Sequence, residues 1–576
     1  MFALQGIGPE ALGFGPWDWA VVLGLLVLTT WVGHKKAGPQ GSGRDFFLGG
    51  RSLPWHVVAA SIVATEISAV TFVSLPSVVW RDGGNLTYMQ IGLFGSLIAR
   101  AVVGYVLMPA YFEREIYSPY DYVGQRLGEP ARRLTTLLFS LGGVLGQSAR
   151  VYLTAVVLEV ILLDELQAIG GWLGVSPLAA AVLCIGVVAV IWTWMGGLAT
   201  VVWTDAILFL LFLAGAGVTL LVLHGKLEGG MGAALRDGLD AGKFRLIDTS
   251  TDLHKPYTLM VALLVASWGQ IGPYGCDQLM VQRLLGCRDA GQARKAIVAS
   301  IAAMGVTFLI AMIGIGLWAW TRQSPLQGQA AELVAELPGR IFPVFLRDAM
   351  PVGAKGLVVA GVFAAAISSL DSILAALSQT TLSLLPNGER SARRTVQLSR
   401  VLVAVYGLVL GAAAIGTAWV AERYDSILDL ALAMAGYTGG ALLAAVLLAL
   451  LPGGRGGRGY VLSAPLSVLA VVAVAWHESW TPGVLGTAGV ALAAIPLWRA
   501  ARGRLLVRQV MMQLLLLAAL LAVILWVAEH GSLPPSPGSD LAGSLPWPWY
   551  VPVGTLVAWL GAYGFDAGSA EAIRRS

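Results

Sequence analysis

Long apolar runs separated by short polar segments recur along almost the whole chain. Runs of about 17 to 30 residues are long enough to cross a bilayer as helices, since roughly 20 helical residues span the hydrocarbon layer. They predict fifteen spans, at about 17–34, 55–80, 89–112, 134–163, 177–195, 202–223, 257–275, 296–321, 353–385, 401–420, 427–451, 460–476, 482–498, 510–528 and 549–565. The pattern therefore predicts an all-α polytopic membrane protein with about 15 transmembrane helices.

The composition supports the class of membrane proteins, and the distribution of positive charge predicts on which side of the membrane each terminus lies. Of the 576 residues 57% are hydrophobic and only 12% charged, whereas soluble domains carry about 25% charged residues. The apolar start has no basic segment before it, so we expect no cleaved signal peptide. Most Lys and Arg residues follow odd-numbered spans, which predicts a cytoplasmic (inner) membrane protein with its N-terminus outside and its C-terminus inside.

Two predicted spans contain residues that interrupt a helix. Span 2 holds the polar run from Thr65 to Ser68 and then Pro76, and span 7 holds glycines and a proline between 269 and 275. Broken helices are tolerated at membrane depth only where they line a cavity enclosed by protein. A matching pair of interrupted spans indicates the substrate and ion site of a carrier.

The two breaks lie five spans apart, which predicts a core of two inverted repeats of five spans each. The repeats would be residues 55–223 (spans 2 to 6) and 257–451 (spans 7 to 11). Residues 1–54 would supply the first helix and a cytoplasmic loop. Residues 452–576 would supply peripheral C-terminal helices (spans 12 to 15).

Span 9 carries polar residues at membrane depth: Ser368, Ser369, Asp371 and Ser372. Serines alone often join helices or bond to their own backbone. An acid within a spanning helix costs about 2.5 to 3.5 kcal/mol on insertion scales, so it marks a functional site by default. This stretch is the predicted cation-binding wall.

A sodium ion takes oxygen ligands, and a broken helix supplies freed carbonyls. We expect a sodium site formed by the carbonyls of Ala64, Ile67 and Ala365 and the hydroxyls of Ser368 and Ser369. The chain has no G-x-x-x-x-G-K-[ST] segment for nucleotide binding. An ion gradient is therefore the predicted energy source, with sodium as the coupling ion and no organic cofactor.

Three further charged residues have more than one interpretation. Asp205 opens span 6, where it could be stabilised by the helix N-terminus or act as a second cation ligand facing Asp371. Glu66 lies in the break and could cap a half-helix, pair with a buried arginine or bind a cationic part of the substrate. Arg150 could be a structural counter-ion or an anion clamp, and Arg100 is expected to face protein.

The candidate substrate site combines polar and aromatic residues of the two breaks with those of span 4. Trp268 and Tyr274 could instead be packing residues, with a gate as the alternative. The candidates are Thr65, Glu66, Thr71, Gln147, Arg150, Trp268, Gln270 and Tyr274.

Five segments in this order resemble the sodium:solute symporter family, whose members include sodium–glucose, proline, pantothenate, sialic acid and iodide carriers. They are DFFLGGRSLPWH, ATEISAVTF, GGLATVVWTD, DQLMVQR and AAAISSLDS, and the resemblance covers roughly residues 44 to 450. It implies an inverted-repeat fold, an alternating-access cycle and the sodium site given above.

The resemblance also implies a second cation site, found in some members, at Asp205, Ser368 and Ser372. Asp371 departs from the family, because such members can have a hydroxyl there. Its carboxylate could tighten a second cation site or carry a proton, since two acids that share a site raise one pKa. Glu66 and Asp277 stand where sugar carriers have Asn, which argues against a sugar and towards the iodide, monocarboxylate and vitamin branch.

The prediction is a sodium-coupled importer of an organic acid, an amino acid or a related anion or zwitterion. It would work as a monomer in the bilayer, with no nucleic-acid partner. Proton coupling through Asp205 and Asp371 remains an alternative, as does a sensory module with a carrier-like fold. We do not expect an enzyme, because the chain has no H-E-x-x-H segment and its histidines are scattered.

Overall fold

The chain folds into a bundle of helices. The computed structural model describes residues 14–36, 48–67, 69–195, 198–252, 255–384, 392–421, 427–451, 457–475 and 545–566. Within those ranges the residues are almost all helical, and the one extended pairing is a β-bridge between Leu53 and Cys287. The predicted all-α class is confirmed.

The N-terminal part of the bundle precedes a long loop at about residue 245. Its helices are α1 (Pro16–Lys36), α2 (Trp55–Glu66), α3 (Ala69–Trp80), α4 (Ile91–Glu113), α5 (Pro119–Leu127), α6 (Glu129–Ile161), α7 (Leu163–Leu173), α8 (Pro177–Met195), α9 (Leu198–Lys226) and α10 (Gly230–Asp240).

The second part follows that loop. Its helices are α11 (261–269), α12 (Ile271–Gly275), α13 (Gln278–Leu285), α14 (Ala290–Gln323), α15 (Gly328–Glu336), α16 (Ile341–Ala349), α17 (Ala354–Leu384), α18 (Ala392–Ala421), α19 (Ile427–Leu450), α20 (Gly457–Ala475) and α21 (Tyr550–Asp566).

The predicted spans coincide with these helices wherever the chain is described. Nine helices of the described ranges are long and apolar enough to cross a membrane, and a bent pair, α2 with α3, raises the number to ten. The predicted spans at 482–498 and 510–528 lie outside the described residues. The total of fifteen spans therefore stays a prediction.

The break in span 2 is present. α2 ends at Glu66, and Ile67 leaves the helical region with φ −85° and ψ 70°. The axes of the two half-helices differ by 54°. Because the last four carbonyls of a helix have no partner within it, the end of α2 offers backbone oxygens towards the bundle interior.

Span 7 is irregular in a milder way than predicted. It starts with a π-helical stretch, Val261–Ala266, and at Gln270 the backbone remains right-handed, with φ −74° and ψ −15°. Pro273 lies in the first turn of α12, where a missing amide hydrogen breaks no helical bond. The chain becomes extended only at Asp277, with φ −82° and ψ 127°.

The helix of span 9, α17, runs without interruption through the predicted cation-binding wall. Its start is held by α1, because Asp18 Oδ1 accepts hydrogen bonds from the Gly353 and Gly356 amides at 2.7 and 2.8 Å. Asp18 is fully buried. A carboxylate at a helix N-terminus also interacts favourably with the helix dipole, so α1 fixes the position of α17.

Candidate functional site

A cavity of about 250 Å³ lies beside the break between α2 and α3. Residues of α6, α11, α12 and α19 form its other walls, and the start of α21 also contributes. Of the predicted substrate-site residues, those that line it are Thr65, Glu66, Thr71, Gln147, Arg150, Gln270 and Tyr274. The structure thus brings together side chains that are about 200 residues apart in the sequence.

Trp268 is the one predicted substrate-site residue that the structure does not bring to this cavity. Its neighbours Gly269 and Gln270 line the cavity, whereas the Trp268 side chain is 38% exposed on the outside of the bundle. Successive helical residues point about 100° apart, so a residue next to a lining position can face outwards.

Glu66 is paired with a buried arginine. Its Oε2 accepts a hydrogen bond from Arg100 Nη2, and its Oε1 accepts one from the Tyr274 hydroxyl at 2.8 Å. The Arg100 guanidinium lies over the Tyr274 ring, 4.4 Å from its centre, and Arg100 Nε donates to Ser300 Oγ at 3.0 Å. Of the three interpretations of Glu66, pairing with a buried arginine is the one observed, so its charge is compensated.

The charge of Arg150, unlike that of Arg100, is not compensated by an ion pair among the described residues. Its guanidinium makes no hydrogen bond or ion pair within the described part of the chain, although it lines the cavity. Gln147, one turn away, is 5% exposed, and its Oε1 has no hydrogen-bond partner. Asp277 lines the same cavity, but one of its oxygens accepts from the Leu279 amide at 2.8 Å. Buried donors without partners are rare, which makes Arg150 a candidate for binding a ligand.

The predicted sodium ligands lie on elements that contact each other. α2 packs against α17, and Ala64 and Ile67 lie in the last turn and at the C-cap of α2. Ser369 is 6% exposed and lines a cleft of about 10 Å³ that also touches Arg150. The freed carbonyls and the hydroxyl are ligand types that suit sodium. The side chains of Ala365 and Ser368 lie outside what the structure describes.

Asp205 belongs to a buried polar cluster that the sequence only partly indicated. Its Oδ2 lies 3.0 Å from Arg283 Nη2 and accepts from Ser61 Oγ at 2.6 Å. Arg283 also donates to Ser372 Oγ at 3.1 Å, and Ser372 Oγ donates to Asp371 Oδ1 at 3.3 Å. The cluster therefore joins α2, α9, α13 and α17.

The sequence arguments gave no role to Arg283 and Ser61. The available signal for Arg283 was its place in the short segment DQLMVQR directly after predicted span 7. In the structure, every residue of α13 is buried. Such a charge needs a partner, but sequence spacing cannot identify it because Asp205 lies 78 positions away.

These features define a class of protein: a membrane-embedded carrier, with a broken helix beside a cavity whose lining includes polar and charged side chains. The chain belongs to the sodium:solute symporter family, whose model matches residues 46–452. It is thus a sodium-coupled solute symporter by family.

Several relatives agree with this assignment. The sodium/sialic acid symporter SiaT of Proteus mirabilis is 26% identical over 490 residues, covering 83% of this chain and 94% of the relative. Human sodium-coupled monocarboxylate transporter 1 is 26% identical over 444 residues, covering 76% and 69%. The sodium/glucose cotransporter of Vibrio parahaemolyticus is 30% identical over 370 residues, covering 62% and 64%.

A solved structure shows the same fold. It is the substrate-bound outward-open state of a Na+-coupled sialic acid symporter, at 22% identity and a TM-score of 0.70. The match covers 95% of this chain and 97% of that chain.

Proposed function

We propose that the protein imports a small organic solute that carries a carboxylate, together with sodium. The observation that carries this proposal is the contrast between two arginines. Arg100 is neutralised by Glu66, whereas Arg150 lines the cavity without a partner among the described residues. A planar guanidinium binds a carboxylate through two parallel hydrogen bonds, which favours an anion or a zwitterion at this position.

The relatives support this class of solute. Sialic acid and the monocarboxylates, named for two of the relatives, share a carboxylate. The compensated charge of Glu66 removes the main objection to an anion in this cavity. Asp277 lines the same cavity and could accept a donor group of a zwitterion or hydroxylated acid.

The proposed sodium ion is held by the carbonyls of Ala64, Ile67 and Ala365 and the hydroxyls of Ser368 and Ser369. Such an ion joins the end of α2 to α17. It favours the conformation in which these helices are close, and that conformation binds the solute more tightly. Coupling then follows from linkage, because each ligand raises the affinity for the other.

A second cation is a further candidate, on one observation. Asp205 and Asp371 lie near a single buried Arg283, so the cluster has two carboxylates for one guanidinium. One additional sodium or proton at Asp205, Ser368, Asp371 and Ser372 would balance the charge. Because Arg283 donates to both Asp205 and Ser372, a sodium ion there has to share these oxygens with it.

We place the protein in the cytoplasmic membrane as a functional monomer, N-terminus outside. The sensory alternative predicts solute binding without uptake.

The test uses purified protein and a panel of N-acetylneuraminate, lactate, proline and glucose, each with and without sodium chloride. We expect a carboxylate to raise the melting temperature more in sodium than in its absence. Arg150→Gln should weaken solute binding by at least about 30-fold, since loss of one partner of a buried charge pair costs about 2–5 kcal/mol. Its response to sodium alone should persist.

Arg236→Gln is the matched control, because Arg236 is exposed on α10 and bonds only to its own helix. It should bind both ligands as the parent does. Carboxylate binding that survives in Arg150→Gln would show that the proposed recognition is wrong. Proteoliposome uptake of the stabilising solute then tests transport itself.

A further inference from the structure

One carboxylate ties together the starts of several helices at one end of the bundle. Asp429, in the first turn of α19, accepts hydrogen bonds on the same oxygen from the Tyr257 hydroxyl at 2.5 Å and from Trp547 Nε1 at 2.9 Å. Tyr257 precedes α11, and Trp547 precedes α21. The orientation predicted from Lys and Arg places this end outside the cell.

Trp547 connects this carboxylate to the solute cavity, because it is one of the lining residues. Trp547, Pro548 and Val551 are lining residues, and so is Tyr88, just before α4. The Tyr88 ring packs edge-on against Tyr257, with 5.4 Å between ring centres. The Trp547 indole and the Tyr88 ring therefore line the cavity, and Tyr257 packs behind Tyr88.

Tyr88 also connects this aromatic group to the solute site. Burial raises the pKa of the Tyr88 hydroxyl, and the nearby carboxylates of Glu66 and Asp429 raise it further. The Tyr88 ring lines the cavity and packs against Tyr257, whose hydroxyl donates to Asp429. Gln90 braces the loop, because its Nε2 donates to the Tyr257 carbonyl at 3.2 Å.

α21 is seated directly against the core of the bundle. A Cβ added to Gly440 of α19 would lie 2.6 Å from the Thr555 amide nitrogen, and one added to Gly439 would lie 3.1 Å from Val551. Only glycine allows this approach of the two backbones. The C-terminal helix was expected to be peripheral, but its first turn is a wall of the cavity.

We propose that the turn from Trp547 to Trp549, with the start of α21, is a gate over the solute cavity and that Asp429 is its latch. The inference rests on the carrier function proposed above, because a gate has meaning only where a solute enters. Opening breaks the hydrogen bonds from Trp547 and Tyr257 and moves the indole away from the cavity. The strength of the latch then sets the fraction of molecules whose cavity is open at this end.

The rate at which a reagent enters the cavity tests the gate. Met304 lines the cavity, and Met304→Cys introduces a smaller side chain there. The parent without this substitution gives the background from the native cysteines, two of which are buried. Full-length protein in vesicles with sodium chloride and no solute is treated with a membrane-impermeant methanethiosulfonate, on each side in turn.

Asp429→Asn and Trp547→Phe should each speed modification of Cys at 304 about tenfold from the side on which α19 begins. Trp547→Phe removes one hydrogen bond to the carboxylate, whereas Asp429→Asn leaves a weaker, neutral amide oxygen as the acceptor. If Trp547 acts through Asp429, the acceleration in the double variant should be smaller than the product of the two single accelerations. Trp172→Phe is the matched control, since Trp172 is 84% exposed on α7.

Unchanged rates in both variants would overturn the proposal, and so would equal acceleration in Trp172→Phe. Stabilisation by sodium chloride, measured on the same samples, shows that each variant is folded. No solute is present, so the result is independent of whether the solute is a carboxylate. Failure of the gate and failure of the proposed function are thereby separate outcomes.

Discussion

The Glu66 carboxylate lines the solute cavity, yet it is already paired with Arg100, a fully buried guanidinium behind it. Tyr274 holds both groups, because its hydroxyl donates to the carboxylate and its ring lies under the guanidinium. Because Glu66 is paired in this way, we propose Arg150, and not Glu66, as the charge that binds the solute.

The pair predicts a strong energetic coupling. Glu66→Gln and Arg100→Gln should each lower the stability by about 3–5 kcal/mol, because each leaves a buried charge without its partner. The double variant should lose less than the sum of the two. Denaturation followed by tryptophan fluorescence gives the three values, and additive losses would contradict the pairing.

The sodium site predicts a selective loss in α17 variants. Ser368→Ala combined with Ser369→Ala should abolish stabilisation by sodium chloride and leave the folded protein otherwise intact, because two of the expected oxygen ligands are removed. Ser383→Ala is the control on the same helix, since its hydroxyl bonds to the Thr380 carbonyl at 2.7 Å. Sodium titrations of the melting temperature compare the variants. An unchanged sodium response in the double variant would refute the assignment.

The Asp371 carboxylate leads us to expect a second bound cation near Arg283. Asp371→Ser places a hydroxyl at this position and removes one of the two carboxylates near Arg283. We expect the sodium dependence of the melting temperature to become less steep and fit one ion per protein. If the acid carries a proton instead, the sodium curve stays the same, and uptake driven by a pH gradient without sodium disappears. A variant unchanged in both respects would leave Asp371 with a structural role only.

We expect Lys243, in the loop after α10, to stabilise α3, the second half of the broken span. Its Nζ donates to the carbonyls of Val79 and Arg81 at 2.9 and 2.5 Å, at the end of α3. Lys243→Met keeps the length of the side chain but removes the donors. We expect a loss of about 1–3 kcal/mol, the cost of leaving buried acceptors without partners.

The control for this prediction is Lys226→Met, because Lys226 is exposed at the end of α9. It should unfold like the parent in the same assay. Equal stability of the two variants would contradict the bracing role of Lys243.

The sequence alone determined the features that depend on local composition. Apolar runs predicted the membrane class, because the ability of a helix to span a bilayer depends on its own length and hydropathy. The polar run from Thr65 to Ser68 predicted the broken span. Irregular backbone at membrane depth is tolerated only where protein encloses it, so the break also predicted an enclosed cavity. The motifs predicted the family, and the polar and aromatic residues of the two breaks and span 4 predicted seven of the cavity residues.

The tertiary structure decided which charges are paired. Arg100 and Arg150 both lie in apolar helices, and nothing in their local sequence distinguishes the one that meets Glu66 from the one left for a ligand. Asp205 and Arg283 came together from α9 and α13, and Trp547 reached the cavity from the C-terminal part of the chain. Pairing depends on how distant helices pack, which is a property of the whole bundle and not of any one segment.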